Sequence, residues 1–543
     1  MFSRPFIPAF LLVLLLLTAF QSISVAQTSQ PPQHNKGRIL FSASSVNWRT
    51  ATPDAYLQQY ELTNNSNLYI TAFVDQPLTK HMQQLAPALS VDSLHRTSGY
   101  RFTLYVDNKK IYTSDIMGAP LPAVRDTETV LNKPLIDNGR EGAWWTQFFW
   151  GRFLANGGDN ALTDGRHLLK MEIRPHVHDV AGEIIAAGEL ALQVNRKPVI
   201  DVSRVTLNPV KPYPGIDVST APFDQNKIKT LKGKIALNEF KRINGIVVLK
   251  NGKLLIEEYF NGSGRDSLHD SRSVGKSFAS TMTGLAIRDG YLKGVQQPLK
   301  DFYQLSSYAH FSPDKESVTL KDLLTMNSVF DGDDGDGDSP GNEENMYPTD
   351  NWVKFTLDLP VTKTIPRGTW HYFTAGVMLL GDVLNKSVPG GLEQYVNKSL
   401  FTTLGIQRYQ WMYTPQGVPS TAGGLRLRAL DLAKYGQLYK NGGRWQGQQV
   451  IPRQWVDETF QPYLPLPGRP NEFYGYLFWN KPFTINGKRY EAWYCTGNGG
   501  NKVFVFKDLP LVVVITASAY GQPYAHPQAD RMMAEYILPA VLD

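Results

Sequence analysis

The sequence predicts an α/β domain, with an antiparallel sheet flanked by helices and a helical subdomain, preceded by a β-rich domain. Three observations support this prediction. Strand-like runs dominate from about residue 38 to residue 200. Two strand-like runs then flank an Asn-Gly turn at 251–252, which is a strong hairpin signal. Helical patterns follow until strands return at 503–516, before a last helix at about 528–538. When helices separate the strands of one sheet along the sequence, we expect them to form a helical subdomain beside the sheet, with a cleft between the two.

Composition limits the class of protein. The 543 residues allow two or more domains, and 42% hydrophobic residues are enough for real cores. The net charge of +6 is modest and comes without runs of Lys and Arg, so we expect no nucleic-acid partner. Cys495 is the only cysteine in the sequence, so no intramolecular disulfide can form.

The first 26 residues have the pattern of a secretory signal peptide. Arg4 provides a basic region, residues 10–17 form an apolar core, and Ser24-Val25-Ala26 before Gln27 resembles a cleavage site. The apolar run is short for a membrane span, and no second run of spanning length follows. An uncleaved anchor is the alternative. We expect export to the periplasm or the exterior, with no stable membrane span after cleavage.

Residues 27–200 are predicted to form a β-rich, sandwich-like domain of two packed antiparallel sheets. Its clearest strand patterns are at 68–74, 100–106, 167–173 and 188–194. One aromatic cluster is either a stacking platform for sugar or peptide or, as is more common, part of the core. The cluster consists of Trp144, Trp145, Phe148, Phe149 and Trp150. Residues 201–235 are rich in proline and are interpreted as an interdomain linker, which leaves 236–543 as the second domain.

The strongest candidate for chemistry is a pair at the start of a predicted helix, Ser273 and Lys276. Phe278, Met282 and Leu285 recur behind it at helical spacing. One helical turn places the serine and the lysine on one face, and free N–H groups at a helix start favour developing negative charge. Removal from water lowers the pKa of a lysine, which can then accept a serine proton. The pair is therefore a candidate nucleophile and base.

A second Ser-x-x-Lys pair, Ser312 and Lys315, shows that this spacing alone is a weak signal. It lies in a polar connection before a helix start at Thr319, so we interpret it as a loop and a cap. The surrounding motifs must therefore decide whether Ser273 is a nucleophile.

Several short motifs follow one another between about residues 245 and 517, roughly half of the chain. They are Ser273-Val274-Gly275-Lys276, Leu-Leu-Thr-Met-Asn-Ser at 323–328, Ser-Pro-Gly-Asn-Glu at 339–343, Pro-Arg-Gly-Thr-Trp-His-Tyr at 366–372, Ser-Thr-Ala-Gly-Gly-Leu at 420–425 and Gly-Asn-Gly-Gly at 497–500. By their order and spacing, the second domain resembles the serine β-lactamase and penicillin-binding-protein superfamily, in its class C-like branch of esterases and 6-aminohexanoate-oligomer hydrolases. The resemblance implies a β-lactamase-like fold and chemistry that requires no metal or organic cofactor.

The resemblance also implies three motifs around one cleft, the first of which is Ser273 with Lys276. The second is Tyr372-Phe373-Thr374, which matches the family's Tyr-x-Asn. Its tyrosine is implied to move protons together with the lysine, while Thr374 replaces a substrate-orienting asparagine. Without the resemblance, a packed tyrosine with a satisfied hydroxyl is the alternative for Tyr372.

The third motif matches the family's Lys-Thr-Gly or His-x-Gly strand and is implied to contact substrate. Its residues are Cys495, Thr496 and Gly497. The backbone N–H groups of Ser273 and Asn498 are the candidate oxyanion hole. Cys495 removes a cation from this strand, so neutral esters or amides are expected to be preferred over carboxylate-bearing β-lactams, unless another cation such as Lys502 reaches the pocket. The alternative is that Cys495 packs as a small hydrophobic residue.

Two further features have weaker functional interpretations. Residues 331–338 alternate aspartates with glycines, as a Ca²⁺ loop does, but position twelve is Asn342 rather than the glutamate of an EF-hand. A solvated acidic loop near the cleft is the preferred interpretation. His371 is interpreted as a surface or supporting histidine, because no Ser/His/Asp arrangement is recognisable.

Together these features predict an exported serine hydrolase that acts on a small-molecule or short-peptide amide or ester. Ser273 attacks the carbonyl, Lys276 and Tyr372 transfer protons, and water releases the acyl-enzyme. The alternative is a non-catalytic, penicillin-binding-like sensor or binding protein that is acylated without efficient turnover.

Overall fold

The computed structural model describes residues 35–117, 122–140 and 143–542. The predicted signal peptide at 1–26 lies outside these ranges, so export stays a prediction. Within these ranges, no helix has both the length and the apolar character needed to cross a bilayer.

The N-terminal region contains two sheets, as the strand patterns predicted. In the smaller one, Leu68–Phe73 lies between Ile39–Ser42 and Val130–Ile136, with antiparallel pairing throughout. The larger sheet contains, in order, Gln59–Leu62, Ala186–Val194, Gly165–Val177, Ser98–Val106 and Lys109–Met117, and Val180–Ala181 also pairs with its third strand. The first two strands of the larger sheet are parallel, and the remaining pairs are antiparallel. Apolar side chains from both sheets share one core.

Helices cover this core and divide the aromatic cluster between core and surface. The helical segments are Leu78–Leu85, Val91–Thr97, Pro122–Thr127, Trp145–Trp150, Gly151–Phe153, Leu154–Gly158 and Asp159–Ala161. Phe149 and Trp150 are buried in the core, and Trp145 packs against it. Trp144 and Phe148, by contrast, are 45% and 38% exposed. The cluster is therefore mainly structural, with two rings left at the surface.

The predicted linker contains an ordered helix, Gln225–Ala236. Asp224 caps its start by accepting hydrogen bonds from the next backbone N–H groups. Ile228, Leu231 and Ile235 lie on one face at helical spacing and are buried in the larger, second core. The end of the proline-rich stretch therefore packs with the second domain, while the domain boundaries at 200 and 236 stay predictions.

An eight-stranded antiparallel sheet forms the centre of the second domain. Its strands, in order, are Lys253–Tyr259, Ile243–Lys250, Leu511–Ala517, Asn501–Phe506, Lys488–Gly497, Trp479–Ile485, Phe473–Tyr474 and Leu464–Pro465. The hairpin predicted around Asn251 and Gly252 is confirmed, and both turn residues have positive φ, as a two-residue hairpin turn requires. The remaining small strands are His269–Asp270, Gln410–Trp411, Leu425–Leu427, Arg444–Trp445 and Gln448–Gln449.

Helices fill the interval between the two halves of this sheet and close the chain. They include Val274–Arg288, Pro313–Glu316, Leu320–Leu324, Glu343–Met346, Trp352–Asp358, Thr374–Ser387, Gly391–Val396, Thr402–Leu404, Ala429–Lys440, Arg453–Thr459, Ala525–Met532 and Leu538–Val541. The last helix was predicted from about residue 528, but it begins at Ala525 and continues through the wider turn Met533–Ile537 to Val541. Its buried positions include Ala529, Met532, Met533 and Ile537, so packing against the sheet extends it beyond its clearest apolar pattern.

Strand alternation shows that helices cover both faces of the central sheet. Val503 and Val505 face the helix Ala429–Lys440, because a Cβ on Gly436 would approach both of their side chains. Lys502, directly before Val503, points to the opposite face, where its Nζ is 3.9 Å from Asp530 of the closing helix. Successive side chains of a strand point to opposite faces, so the sheet is a buried layer between two helical layers.

Candidate active site

Ser273 lies at a sharp turn between a loop and the helix Val274–Arg288, which we call the nucleophile helix. Arg272, directly before it, has a φ of +51°, an uncommon conformation for a residue with a side chain. The neighbouring Ser271 anchors the turn by donating from Oγ to the carbonyl oxygen of Leu425 at 3.0 Å. The turn therefore places the Ser273 hydroxyl at the N-cap of a buried helix.

Lys276 lies one turn into the nucleophile helix and is only 2% exposed. Its Nζ donates to Ser273 Oγ at 2.9 Å and to the carbonyl oxygen of Ala422 at 2.7 Å. Gly423, next to Ala422, lets this part of the chain approach the start of the nucleophile helix, because a Cβ there would lie 2.9 Å from the carbonyl carbon of Arg272. The amine is thus held against the candidate nucleophile by two fixed partners.

Tyr372 completes this group from a different part of the chain. The centre of its ring lies 5.0 Å from Lys276 Nζ. Trp370 and Trp479 pack nearby, with ring centroids 6.2 Å and 6.0 Å from the tyrosine. These contacts hold a half-buried phenol beside the lysine, where it can exchange protons with a group on Ser273.

The acidic loop at 331–338 braces Tyr372 through Asp334. The Asp334 N–H donates to the Tyr372 carbonyl oxygen at 2.8 Å. Its carboxylate accepts from the N–H of Thr374 at 2.7 Å and of Glu343 at 2.8 Å, while burial raises its pKa. In the part of the chain that is described, no cluster of three or more His, Cys, Asp or Glu residues could hold a metal ion. The loop is therefore more than solvated charge, since Asp334 binds the backbone of Tyr372 through its N–H and that of Thr374 through its carboxylate.

The strand ending at Gly497 runs against the start of the nucleophile helix. A Cβ at this position would lie 2.0 Å from the Ser271 carbonyl oxygen and 3.0 Å from the Ser273 nitrogen, so the residue must be glycine for this approach. Among the described residues, neither the N–H of Ser273 nor that of Asn498 has a hydrogen-bond acceptor. Two backbone donors near the Ser273 hydroxyl thus lack an acceptor among the described residues, as an oxyanion hole requires.

Five of the predicted site residues line one cavity of about 610 Å³. They are Ser273, Tyr372, Thr496, Gly497 and Asn498. Lys276 lies beneath it, in contact with the serine. His371, which was expected at the surface or in support, also lines the cavity. Its side chain is only 3% exposed, and this burial lowers its pKa.

Thr374 and Cys495, both predicted to bind substrate, are not among the residues that line this cavity. Thr374 is fully buried as the first residue of the helix Thr374–Ser387. Cys495 points away from the cavity because its neighbour Thr496 points into it, and burial raises the pKa of the thiol to about 12. The structure therefore agrees with the alternative stated above, in which Cys495 packs as a small hydrophobic residue.

The cavity also has two charged walls that the motifs did not reveal. The acidic wall includes Asp333, Asp334, Asp336 and Glu343, and the mixed wall combines the cations Arg469 and Lys502 with His526 and the carboxylate of Asp530. Burial lowers the pKa of Lys502 to about 8 despite the opposing effect of Asp530. Burial alone would raise the pKa of Asp530, but Lys502 and Lys481 outweigh it and lower that pKa. The sequence signal for Lys502 was only its closeness to the third motif, where the sheet register pairs it with Thr496.

The second Ser-x-x-Lys pair is structural, as its interpretation as a cap predicted. Ser312 Oγ accepts from the N–H of Asp314 at the start of Pro313–Glu316. Lys315 is buried and donates to the carbonyl oxygens of Ala309 at 3.0 Å and Leu357 at 2.9 Å. Its partners are backbone carbonyls, so this lysine has no serine to activate.

Comparisons with known proteins agree with the motifs. The sequence model of the family described as Beta-lactamase matches residues 237–536, more than half of the chain. A 6-aminohexanoate-dimer hydrolase of Paenarthrobacter ureafaciens is 22% identical over 268 residues, which cover 47% of this chain and 64% of that relative, slightly less than two thirds of its length.

Similar solved structures include two penicillin-binding proteins. A penicillin-binding-protein homologue from Caulobacter crescentus gives a TM-score of 0.46 at 15% identity, covering 59% of this chain and 98% of its own. A penicillin-binding protein from Bacillus halodurans gives 0.41 at 17% identity, covering 54% and 97%. The family match over residues 237–536 confirms the resemblance that the motifs indicated: the chain belongs to the beta-lactamase family.

Proposed function

We propose that this protein is an exported serine hydrolase that cleaves a small amide or ester through an acyl-enzyme on Ser273. The observation that carries the proposal is the 2.9 Å contact between Lys276 Nζ and Ser273 Oγ at the edge of a cavity. The Paenarthrobacter ureafaciens relative is a hydrolase by name, which agrees with this class of reaction. Export rests on the pattern of the first 26 residues, and the N-terminal mass of the protein secreted by a bacterial host tests it.

The reaction proceeds in two halves. In the first, Ser273 Oγ attacks the carbonyl carbon while its proton passes to the Lys276 amine. The carbonyl oxygen becomes an oxyanion between the N–H groups of Ser273 and Asn498. The leaving amine or alcohol receives a proton by way of Tyr372, and the serine ester remains. In the second half, water attacks that ester, and the same groups return the proton to Ser273.

The test is covalent labelling followed by hydrolysis assays. We expect a p-nitrophenyl phosphonate to add one adduct to Ser273, identified by peptide mass spectrometry, and Ser273→Ala to abolish both labelling and ester turnover. Ser312→Ala is the matched control, because it alters the other Ser-x-x-Lys pair outside the cavity. An adduct on another residue would refute the assignment. A single stoichiometric burst of product with no further turnover would instead identify a sensor that is acylated once.

A further inference from the structure

Asn498 is held by side-chain as well as backbone contacts. Its Oδ1 accepts from the Gly521 N–H at 2.8 Å, and its carbonyl oxygen accepts from Asn501 Nδ2 at 2.9 Å. Asn501 is itself buried and accepts from the Ala517 N–H. The direction of the free Asn498 N–H therefore depends on where Gly521 lies.

Gly521 belongs to a tight turn that the N-terminal domain contacts. The turn is closed by a hydrogen bond from the Gln522 N–H to the Ala519 carbonyl oxygen at 3.1 Å. Gln147 lies in the helical segment Trp145–Trp150 of the N-terminal domain and donates from Nε2 to the Gly521 carbonyl oxygen at 3.0 Å. Gly521 thus carries both contacts: its carbonyl oxygen binds the N-terminal domain and its N–H binds the Asn498 side chain.

A second contact joins the same domain to the same wall of the cavity. Lys241 Nζ donates to Asn138 Oδ1 of the N-terminal domain at 3.1 Å. The backbone of Lys241 exchanges two hydrogen bonds with the Gln528 side chain, at 2.9 Å and 2.8 Å. Gln528 lies in the helix that carries His526 and Asp530 into the catalytic cavity. The N-terminal domain is therefore tied to the segment 519–530 at two points.

We propose that the N-terminal domain positions the oxyanion hole, with Gln147 as a positioning residue that acts through Gly521 on Asn498. The inference rests on the proposed function, because it requires the Asn498 N–H to bind the oxygen of the reacting carbonyl. It assigns the β-rich domain a part in the reaction besides any part in stability. Removing the Gln147 donor takes away one of the contacts that hold the 519–522 turn, so Gly521 can shift and the Asn498 N–H is less well aimed, while Ser273 is unaltered.

The experiment uses the full chain and two Gln147 variants. Gln147→Ala removes the side chain, whereas Gln147→Glu keeps its shape and replaces the donor with a charged carboxylate that can only accept at neutral pH. Gln193→Ala, an exposed glutamine on the same domain, is the matched control. Each protein is assayed for kcat and KM on a p-nitrophenyl ester and on its thionoester analogue, and for the rate of phosphonate labelling.

We expect both Gln147 variants to lose about two- to tenfold in kcat on the oxygen ester, the size of one hydrogen bond, with a smaller change in KM. The loss should be smaller on the thionoester, because sulfur is the weaker acceptor in an oxyanion hole. In an Asn498→Ala background, Gln147→Ala should have less effect, since the two residues act on one group.

Wild-type kcat in both Gln147 variants would overturn the inference, as would equal losses on the two esters or an equal loss in Gln193→Ala. These outcomes leave the proposed function intact as long as Ser273 is labelled in the wild type. Labelling of a residue other than Ser273 would instead remove the proposed function together with the inference.

Discussion

Replacing Gly497 by alanine tests the contact between the third motif and the nucleophile. The new methyl group would lie 2.0 Å from the Ser271 carbonyl oxygen and 3.0 Å from the Ser273 nitrogen. A carbon and an oxygen in close contact stand about 3.3 Å apart, so the strand or the helix start must retreat by about 1.3 Å. A displacement of about 1 Å at a reacting centre costs on the order of 10²-fold in rate. We therefore expect Gly497→Ala to lower ester turnover and phosphonate labelling about a hundredfold.

The variant should remain folded, because overpacking of this kind costs about 1–3 kcal/mol of the free energy of unfolding. Thermal unfolding monitored by circular dichroism checks this point. Gly264→Ala is the matched control, since a Cβ there meets open space and the backbone conformation is ordinary. It should retain wild-type rates. A Gly497→Ala protein that is labelled as fast as wild type would refute the geometry described for this strand.

Three further outcomes are expected. Lys276→Ala and Tyr372→Phe should each lower the phosphonate labelling rate by about 10²–10⁴-fold, and together by less than the product, because the two groups act as one unit; wild-type rates in Tyr372→Phe would exclude the tyrosine. Lys502 reaches the cavity, so the kcat/KM of the wild type for a free-acid substrate should be about tenfold to a hundredfold higher than that of Lys502→Met. The kcat/KM for the matching methyl ester is measured in both proteins for comparison. The pKa of Lys502 is about 8, so its charge is present below that pH, and the advantage of the free acid should shrink as pH rises through 8. Equal ratios in Lys502→Met and wild type would rule out this role, and the exposed Lys488→Met serves as control. Lys315→Met should lower the free energy of unfolding in urea by about 1–3 kcal/mol, because the buried carbonyl of Leu357 loses its donor, while labelling of Ser273 is unchanged. A loss of labelling in the folded Lys315→Met protein would contradict its structural role.

The Lys502 prediction changes the specificity expected from the third motif. Loss of a cation at Cys495 had favoured neutral substrates, with Lys502 as the stated exception. The structure meets that exception, because Lys502 and Arg469 both line the cavity. Around them, three cations face two carboxylates: Arg469, Lys481 and Lys502 against Glu472 and Asp530. These five groups together carry one net positive charge, which is the basis of the Lys502 prediction.

Local patterns were sufficient wherever neighbouring residues decide the structure. The helix Ala429–Lys440 lies in the interval where helical patterns were predicted, because its apolar residues repeat at helical spacing and face the sheet. The hairpin at Asn251 and Gly252 followed from turn chemistry alone. Ser273 and Lys276 are also a local prediction, since one helical turn brings them together whatever the rest of the chain does.

Contacts between distant segments could not be read in the same way. Three residues from separate parts of the chain, Tyr372, Asp334 and Gly521, reach the site through loops whose paths depend on packing. The linker prediction at 201–235 relied on prolines, but the helix at its end is buried by partners from elsewhere in the sequence. Local composition does not contain that information.

By itself, the sequence determined the β-rich region and the α/β region, the candidate nucleophile with its lysine, and the family to which the second region belongs. The tertiary structure alone decided which residues share the cavity. Cys495 and Lys502 show the reason, because each points where its place in a strand directs it. The alternation of a strand puts Cys495 in the core, and the register beside Thr496 puts Lys502 at the wall of the cavity. Strand register depends on pairing between remote segments, so only the folded chain could assign the charge of this site.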